Sequence, residues 1–116
     1  MIAAMWSGGK DSCLAVWRVI KSGMNVSTFI CMLNESNASR AHGLYRNSLV
    51  RQTEAIGINT VFGTSTWKGY EMEFRRIVSE LNPEAVVFGD IYLEEHRIWL
   101  ERVCNELGVK PLFPLW

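Results

Sequence analysis

The sequence predicts an α/β fold, a mostly parallel sheet in a three-layer α/β/α, Rossmann-like arrangement, and three observations carry this prediction. Short apolar runs rich in β-branched residues alternate with segments of helical periodicity. The order reads strand, helix, strand, helix, strand, helix, strand, helix, so each strand is separated from the next by a crossover long enough to run it parallel. A Gly-Gly-Lys turn joins the first strand to the first helix, where such sheets meet their ligands beyond the carboxyl ends of the strands.

The elements follow in order. Ile2 to Trp6 is the first strand, and Ser12 to Lys21 the first helix, with Leu14, Val16, Trp17 and Ile20 at helical spacing and Gly23 as its stop. Val26 to Leu33 is the second strand. The helix after it covers Leu44 to Ala55, with Leu44, Ser48, Leu49, Gln52 and Ile56 stepping around one face before Gly57. Asn59 to Gly63 is the third strand. Tyr70 to Leu81 carries an apolar stripe of Met72, Phe74, Ile77, Val78 and Leu81, ended by Asn82-Pro83. Ala85 to Gly89 is the fourth strand, and Glu94 to Leu107 the fourth helix, with Ile98, Leu100, Val103, Cys104 and Leu107 apolar and Gly108 as its stop. Val109 to Trp116 then reads as an extended segment, broken by Pro111 and Pro114 and rich in large apolar side chains.

A chain of 116 residues suits one domain, spanning 1–116. Its 12 basic and 12 acidic side chains cancel, which implies no general attraction to nucleic acid or to an anionic membrane. Cys13, Cys31 and Cys104 lie in apolar stretches, as reduced, packed thiols do, and the expected location is the cytoplasm. The run from Ile2 to Trp6 is too short for a signal peptide, and no apolar stretch is long enough to span a bilayer. Two histidines and separated cysteines give no spacing for structural zinc, and no cysteine stands beside a candidate base. The tryptophans read as core or edge packing, with one beside the loop able to contact adenine.

The chemistry concentrates after the first strand. Gly8 and Gly9 let the backbone turn tightly and approach a ligand without a Cβ in the way. Amides from Ser7 to Asp11 and the helix N-terminus would face an anion, with charge from Lys10 and hydroxyls from Ser7 and Ser12. Asp11 serves either as a ligand through Mg²⁺ or as the orienter of Lys10, and it suits the first turn of a helix. The loop is shorter than a Walker A motif, and Lys10 is followed by Asp. Ser7-Gly8-Gly9-Lys10-Asp11-Ser12 resembles instead the PP-loop of ATP pyrophosphatases, which cleave between the α and β phosphates.

Other candidates lie farther on. His42 precedes the second helix and is either a site residue or a solvent-exposed loop histidine. Gly89-Asp90 ends the fourth strand and places a carboxylate at the ligand edge for Mg²⁺ or substrate, unless Asp90 caps the next helix. Arg97 and Glu101 stand four apart and can pair along their helix.

These residues share a wider likeness. His42-Gly43-Leu44, the run Gln52 to Ile58, Gly89-Asp90-Ile91, His96-Arg97 with Trp99 and Glu101, and Pro114-Leu115-Trp116 resemble the diphthine ammonia ligase family in order and spacing across essentially the whole chain. The resemblance implies an adenine nucleotide alpha hydrolase-like fold with ATP and Mg²⁺. It implies Ser7, Gly8, Gly9, Lys10, Asp11, Ser12 and Gly89 at the nucleotide, and Lys10, Asp11, Asp90 and Glu101 in catalysis. His42, His96 and Arg97 would face the substrate, and Asp11 and Asp90 the metal. The implied reaction adenylates the carboxylate of diphthine, a modified histidine on elongation factor two, after which ammonia displaces AMP. Members of this family usually continue into a second domain with a Gly- and Glu-rich motif, which these 116 residues do not contain. The apolar end is therefore expected to be covered by a separate domain or by a second copy of the chain. The alternatives are another PP-loop activity, such as RNA base modification, or a non-catalytic module that binds adenine nucleotide.

Overall fold

The computed structural model describes residues 1–40 and 42–116. Five strands, β1 (Ile2–Met5), β2 (Val26–Leu33), β3 (Asn59–Thr64), β4 (Ala85–Val87) and β5 (Lys110–Leu112), form one sheet in the order β3-β2-β1-β4-β5. Every neighbouring pair is parallel. Between them run α1 (Lys10–Lys21), α2 (Arg46–Ile56), α3 (Tyr70–Leu81) and α4 (Glu94–Leu107). The sheet grows outward from β1 through β2 to β3, then returns to the other side of β1 for β4 and β5. Right-handed crossovers on such a path must place the first two helices on one face and the last two on the other.

The core shows this division residue by residue. Ala3, Ile30, Met32, Val86 and Phe88 face Phe74, Ile77, Val78, Leu100 and Cys104 of α3 and α4. Their strand neighbours Ala4, Phe29, Cys31, Leu33 and Val87 face Ala15, Val16, Val19 and Leu49 of α1 and α2. The side chains of a strand alternate between faces, and the continuous apolar runs of the sequence are explained by burial on both. The result is the three-layer α/β/α arrangement. Among the described residues no helix is long and apolar enough to cross a membrane.

Several boundaries and faces differ from the sequence reading. β1 and β4 end sooner, at Met5 and Val87, because the chain leaves the ladder to enter the loops at the ligand edge. α1 begins at Lys10 rather than Ser12, and α2 at Arg46 rather than Leu44. On α1 the packed residues are Ala15, Val16 and Val19, while Leu14, Trp17 and Ile20 are exposed. The small Ala15 lets the helix sit close to the sheet, and the larger stripe chosen from periodicity is turned outward, where Lys21 lies over the Trp17 ring at 4.8 Å. Met72 and Ile98 are exposed for the same reason, since apolar residues occur on more than one side of their helices. Cys13 is exposed, whereas Cys31 and Cys104 are buried, and burial pushes their thiols up to about 12 and about 11.

The contrast between Phe74, at 1% exposure, and Met72, at 75%, gives a direct test of these faces. Phe74→Ala is expected to cost about 3–5 kcal/mol in urea unfolding, because it opens a cavity beneath Phe88, whereas Met72→Ala changes stability by less than about 0.5 kcal/mol.

Candidate functional site

The order of strands reverses between β1 and β4, and a sheet of this kind binds ligands in the crevice there. β1 feeds the Ser7–Ser12 loop and β4 feeds Gly89 and Asp90. A cavity of about 390 Å³ opens at this point, lined by Met5, Trp6, Ser7, Asp11, Ser12, Met32, Ser39, Arg40, His42, Tyr70, Gly89, Asp90, Ile91, Leu93 and His96.

The loop is organised around the buried hydroxyl of Ser12. Its Oγ donates to the Gly9 carbonyl at 3.2 Å, accepts from the Ser7 amide at 3.3 Å, and lies 3.2 Å from the Ser7 hydroxyl. The Gly9 amide donates to Ser7 Oγ. Two of the amides expected to face an anion are thus turned inward, at Ser7 and Gly9. Those of Lys10, Asp11 and Ser12 stand in the first turn of α1, without intrahelical acceptors and with no side-chain cap. Gly8 has φ +83, and a Cβ there would meet Leu44 and Leu49 at 2.7 and 2.8 Å. A Cβ on Gly9 would run into the His42 ring. Lys10 extends into solvent, its side chain 89% exposed, with Nζ 3.1 Å from Asp11 Oδ1.

Helix α2 buttresses the loop from below. The Trp6 indole donates to Gln52 Oε1 at 3.1 Å, and Gln52 Nε2 donates to the Gly8 carbonyl at 3.5 Å. Trp6 is buried and stacks on Phe29, centroids 4.7 Å apart, so it acts as a packing residue beside the loop. From the other side, Gly89 approaches so closely that a Cβ would lie 3.0 Å from backbone atoms of both Asp11 and Ser12.

The segment after β2 folds back over the cavity. Leu33 and Ala38 make antiparallel bridges to Ser39 and Tyr45, and the Asn34 carboxamide accepts from the amides of Ser36 and Ala38. Ser39, itself buried, accepts from the Leu44 amide. This hairpin-like loop carries Arg40 and His42 to the cavity.

Asp90 does not cap α4, whose first turn has no side-chain cap. It hydrogen-bonds instead to His96 Nδ1. That bond, opposed by partial burial, raises the imidazole above its ordinary range. Tyr70, on the first turn of α3, is pushed up to about 12 by burial and then by the nearby Asp90 charge, so its phenol stays protonated. Tyr70 and His96 also border a second groove of about 490 Å³, shared with Trp67, Lys68, Glu71, Glu95 and Trp99.

The structure therefore gathers Ser7, Asp11, Ser12, His42, Gly89, Asp90 and His96 around one cavity, with Gly8, Gly9 and Lys10 completing the loop beside it. It does not bring Arg97 or Glu101 to that cavity. Arg97 lies over the rings of Phe113 and Trp116 at 4.6 and 4.8 Å, and its Nε is 3.4 Å from Glu101. Ser39, Arg40, Gln52 and Tyr70 were not singled out as site residues by the sequence reading. Arg40 and Ser39 stood beside the chosen His42, which was the available signal; Tyr70 was read only as a helix start.

The metal fit follows from the two carboxylates. Among the described residues no group of three or more His, Cys, Asp and Glu side chains converges. Mg²⁺ binds through one or two carboxylates together with phosphate oxygens and waters, and Asp11 and Asp90 in one cavity match that mode.

A family model described as the diphthamide synthase N-terminal domain matches residues 1–111. A diphthine–ammonia ligase from Danio rerio is 25% identical over 142 residues of alignment, which take in 99% of this chain and 54% of that protein. The chain thus spans about half the length of the curated relative it matches.

The Asp90–His96 bond has a pH signature. Because the folded imidazole is raised, its contribution to stability is fully present below the unfolded value of about 6.5 and is lost as pH rises through the folded value. An NMR titration of His96 in metal-free buffer is expected to give a midpoint above that of a free imidazole, and Asp90→Asn to bring it down. An unchanged midpoint in the variant would remove Asp90 as the cause.

Proposed function

Given that the chain belongs to the diphthamide synthase N-terminal domain family, we propose that it is the ATP-binding unit of a cytoplasmic ligase that adenylates a carboxylate and releases pyrophosphate. The observation that carries this reading is the Ser7–Ser12 loop. It is an uncapped helix start, opened by a left-handed Gly8 and followed by Lys10, set at the reversal of strand order beside two carboxylates. The unspent first-turn amides and Lys10 bind the phosphates of ATP as a PP-loop. Asp11 holds Lys10 by its carboxylate and, with Asp90, would hold Mg²⁺, which would supply neutralising charge to the phosphates.

In the reaction, an oxygen of the acceptor carboxylate attacks the α phosphorus, the bond to the bridging oxygen of the β phosphate breaks, and pyrophosphate leaves. Ammonia then attacks the acyl carbon, AMP departs with the electron pair of the broken C–O bond, and the amide nitrogen loses a proton. A free carboxylate resists ammonia, whereas the acyl adenylate offers a good leaving group; this difference is what the ATP provides. The Asp90–His96 pair stands at the cavity wall with a protonatable nitrogen, suited to manage that proton. The diphthine–ammonia ligase name of the Danio rerio relative supports diphthine as the acceptor; elongation factor two as its carrier rests on the sequence resemblance.

Lys10→Ala is expected to weaken ATP by about tenfold or more in calorimetric titration while leaving adenosine nearly unchanged, because the lost charge faces phosphate rather than base. The nucleotide product, read by chromatography, should be AMP with pyrophosphate. Release of ADP and phosphate by the pure protein would overturn the adenylation reading.

A further inference from the structure

We propose that Arg40 and Tyr70 form a second oxyanion-binding pair in the cavity that the Ser7–Ser12 loop also lines. Both side chains line the same cavity as Ser7, Asp11 and Asp90. They arrive from different elements: Arg40 from the folded loop after β2, and Tyr70 from the first residue of α3, which follows β3. The phosphate loop follows β1. The cavity therefore takes donors from segments that follow three different strands.

The guanidinium of Arg40 is held in place before any ligand arrives. Its Nη2 donates to the Ser65 carbonyl and to Glu35 Oε1, and its Cζ lies 5.6 Å from the centroid of the Trp67 ring. Its Nε–H is shut off from solvent and has no acceptor among the described residues. That donor is out of a ligand's reach, and with Nη2 engaged, Nη1 is the guanidinium nitrogen left without a partner among the described residues. Its ion-pair partner Glu35 is 65% exposed, so that pair is an outward-facing one of modest strength. Tyr70 is set beside the same Trp67 ring, centroids 5.4 Å apart, and lines the cavity with Arg40. Asp90, the anion that would compete, is engaged by His96. A charged guanidinium N–H and a phenol O–H lining one cavity are donors suited to the anionic oxygens of a carboxylate or a phosphate.

The pair itself rests on this geometry; the source of its anion rests on the function proposed above. Two sources share the chemistry, the polyphosphate tail of the nucleotide and the carboxylate of the acceptor. Calorimetric titration of the whole chain with pyrophosphate and with succinate, for the wild type, Arg40→Gln and Tyr70→Phe, separates them. Each variant is expected to lose about fivefold or more in affinity for at least one of these anions. A loss confined to pyrophosphate assigns the nucleotide tail, and one confined to succinate assigns the acceptor carboxylate. Tyr70→Phe keeps the packed ring, and Arg40→Lys, which keeps the charge, is expected to retain more of the anion affinity than Arg40→Gln, so a folding defect does not imitate the result. If both anions bind the Arg40→Gln and Tyr70→Phe variants within about twofold of wild type, or neither binds the wild type at millimolar concentration, the pair is refuted. ATP binding that survives these variants and fails in Lys10→Ala would leave the adenylation reading intact in that case. Anion binding through Arg40 by a chain that does not bind ATP would do the reverse.

Discussion

Everything at the ligand edge hangs on how closely the end of β4 approaches the first turn of α1. Gly89 has backbone of Asp11 and Ser12 on the side where a Cβ would stand, 3.0 Å from that position. Only at this distance can the carboxylates that follow β4 and β1 share one cavity. The same approach closes over Ser12, whose hydroxyl fixes the loop through Ser7 and Gly9. From the other face Gln52 fastens both the Trp6 ring and the Gly8 carbonyl. The loop is thus gripped between β4 and α2, and the amides left to a ligand are those that neither grip consumes.

Charge follows the same division between scaffold and site. The outer surface of α3 and α4 carries a mesh of Glu71, Arg75, Arg102 and Glu106, with a second cluster of Glu73, Arg76 and Glu80. Exposed pairs of this kind add little stability each, but they cancel one another and leave the outer faces without a dominant sign. At the cavity the charges are paired as well: Arg40 with Glu35, His96 with Asp90, and, on the loop beside it, Lys10 with Asp11. A phosphate arriving there would compete with those carboxylates for the same cations.

The parallel sheet was legible because burial on both faces leaves continuous apolar strands, and because Gly57, Gly108 and Asn82 end their helices in the left-handed conformation their sequence positions suggest. The loop was legible because two glycines and a lysine between strand and helix have few other uses. The faces of α1, α3 and α4 were less so. Leu14, Trp17 and Ile20 are larger than Ala15, Val16 and Val19, and a count of apolar residues favours size, whereas close approach to a sheet favours smallness. Arg40 and Tyr70 escaped notice because no spacing links them: a folded loop and a helix start, 30 positions apart in sequence, meet only through the order of β2 and β3. The spacing of Arg97 and Glu101 correctly gave their mutual contact, but spacing along a helix says nothing about which way the pair leans.

That lean has a mechanical meaning. Arg97 is clasped between the Phe113 and Trp116 rings, while His96, its neighbour on the same turn of α4, grips Asp90. The tail is tied back to α1 as well, through Arg18 and the Pro114 carbonyl. One turn of α4 thus joins the aromatic tail to the cavity's acid–imidazole couple through two successive residues. The outer end of the chain and the ligand edge of the sheet share a single turn of helix as their common anchor.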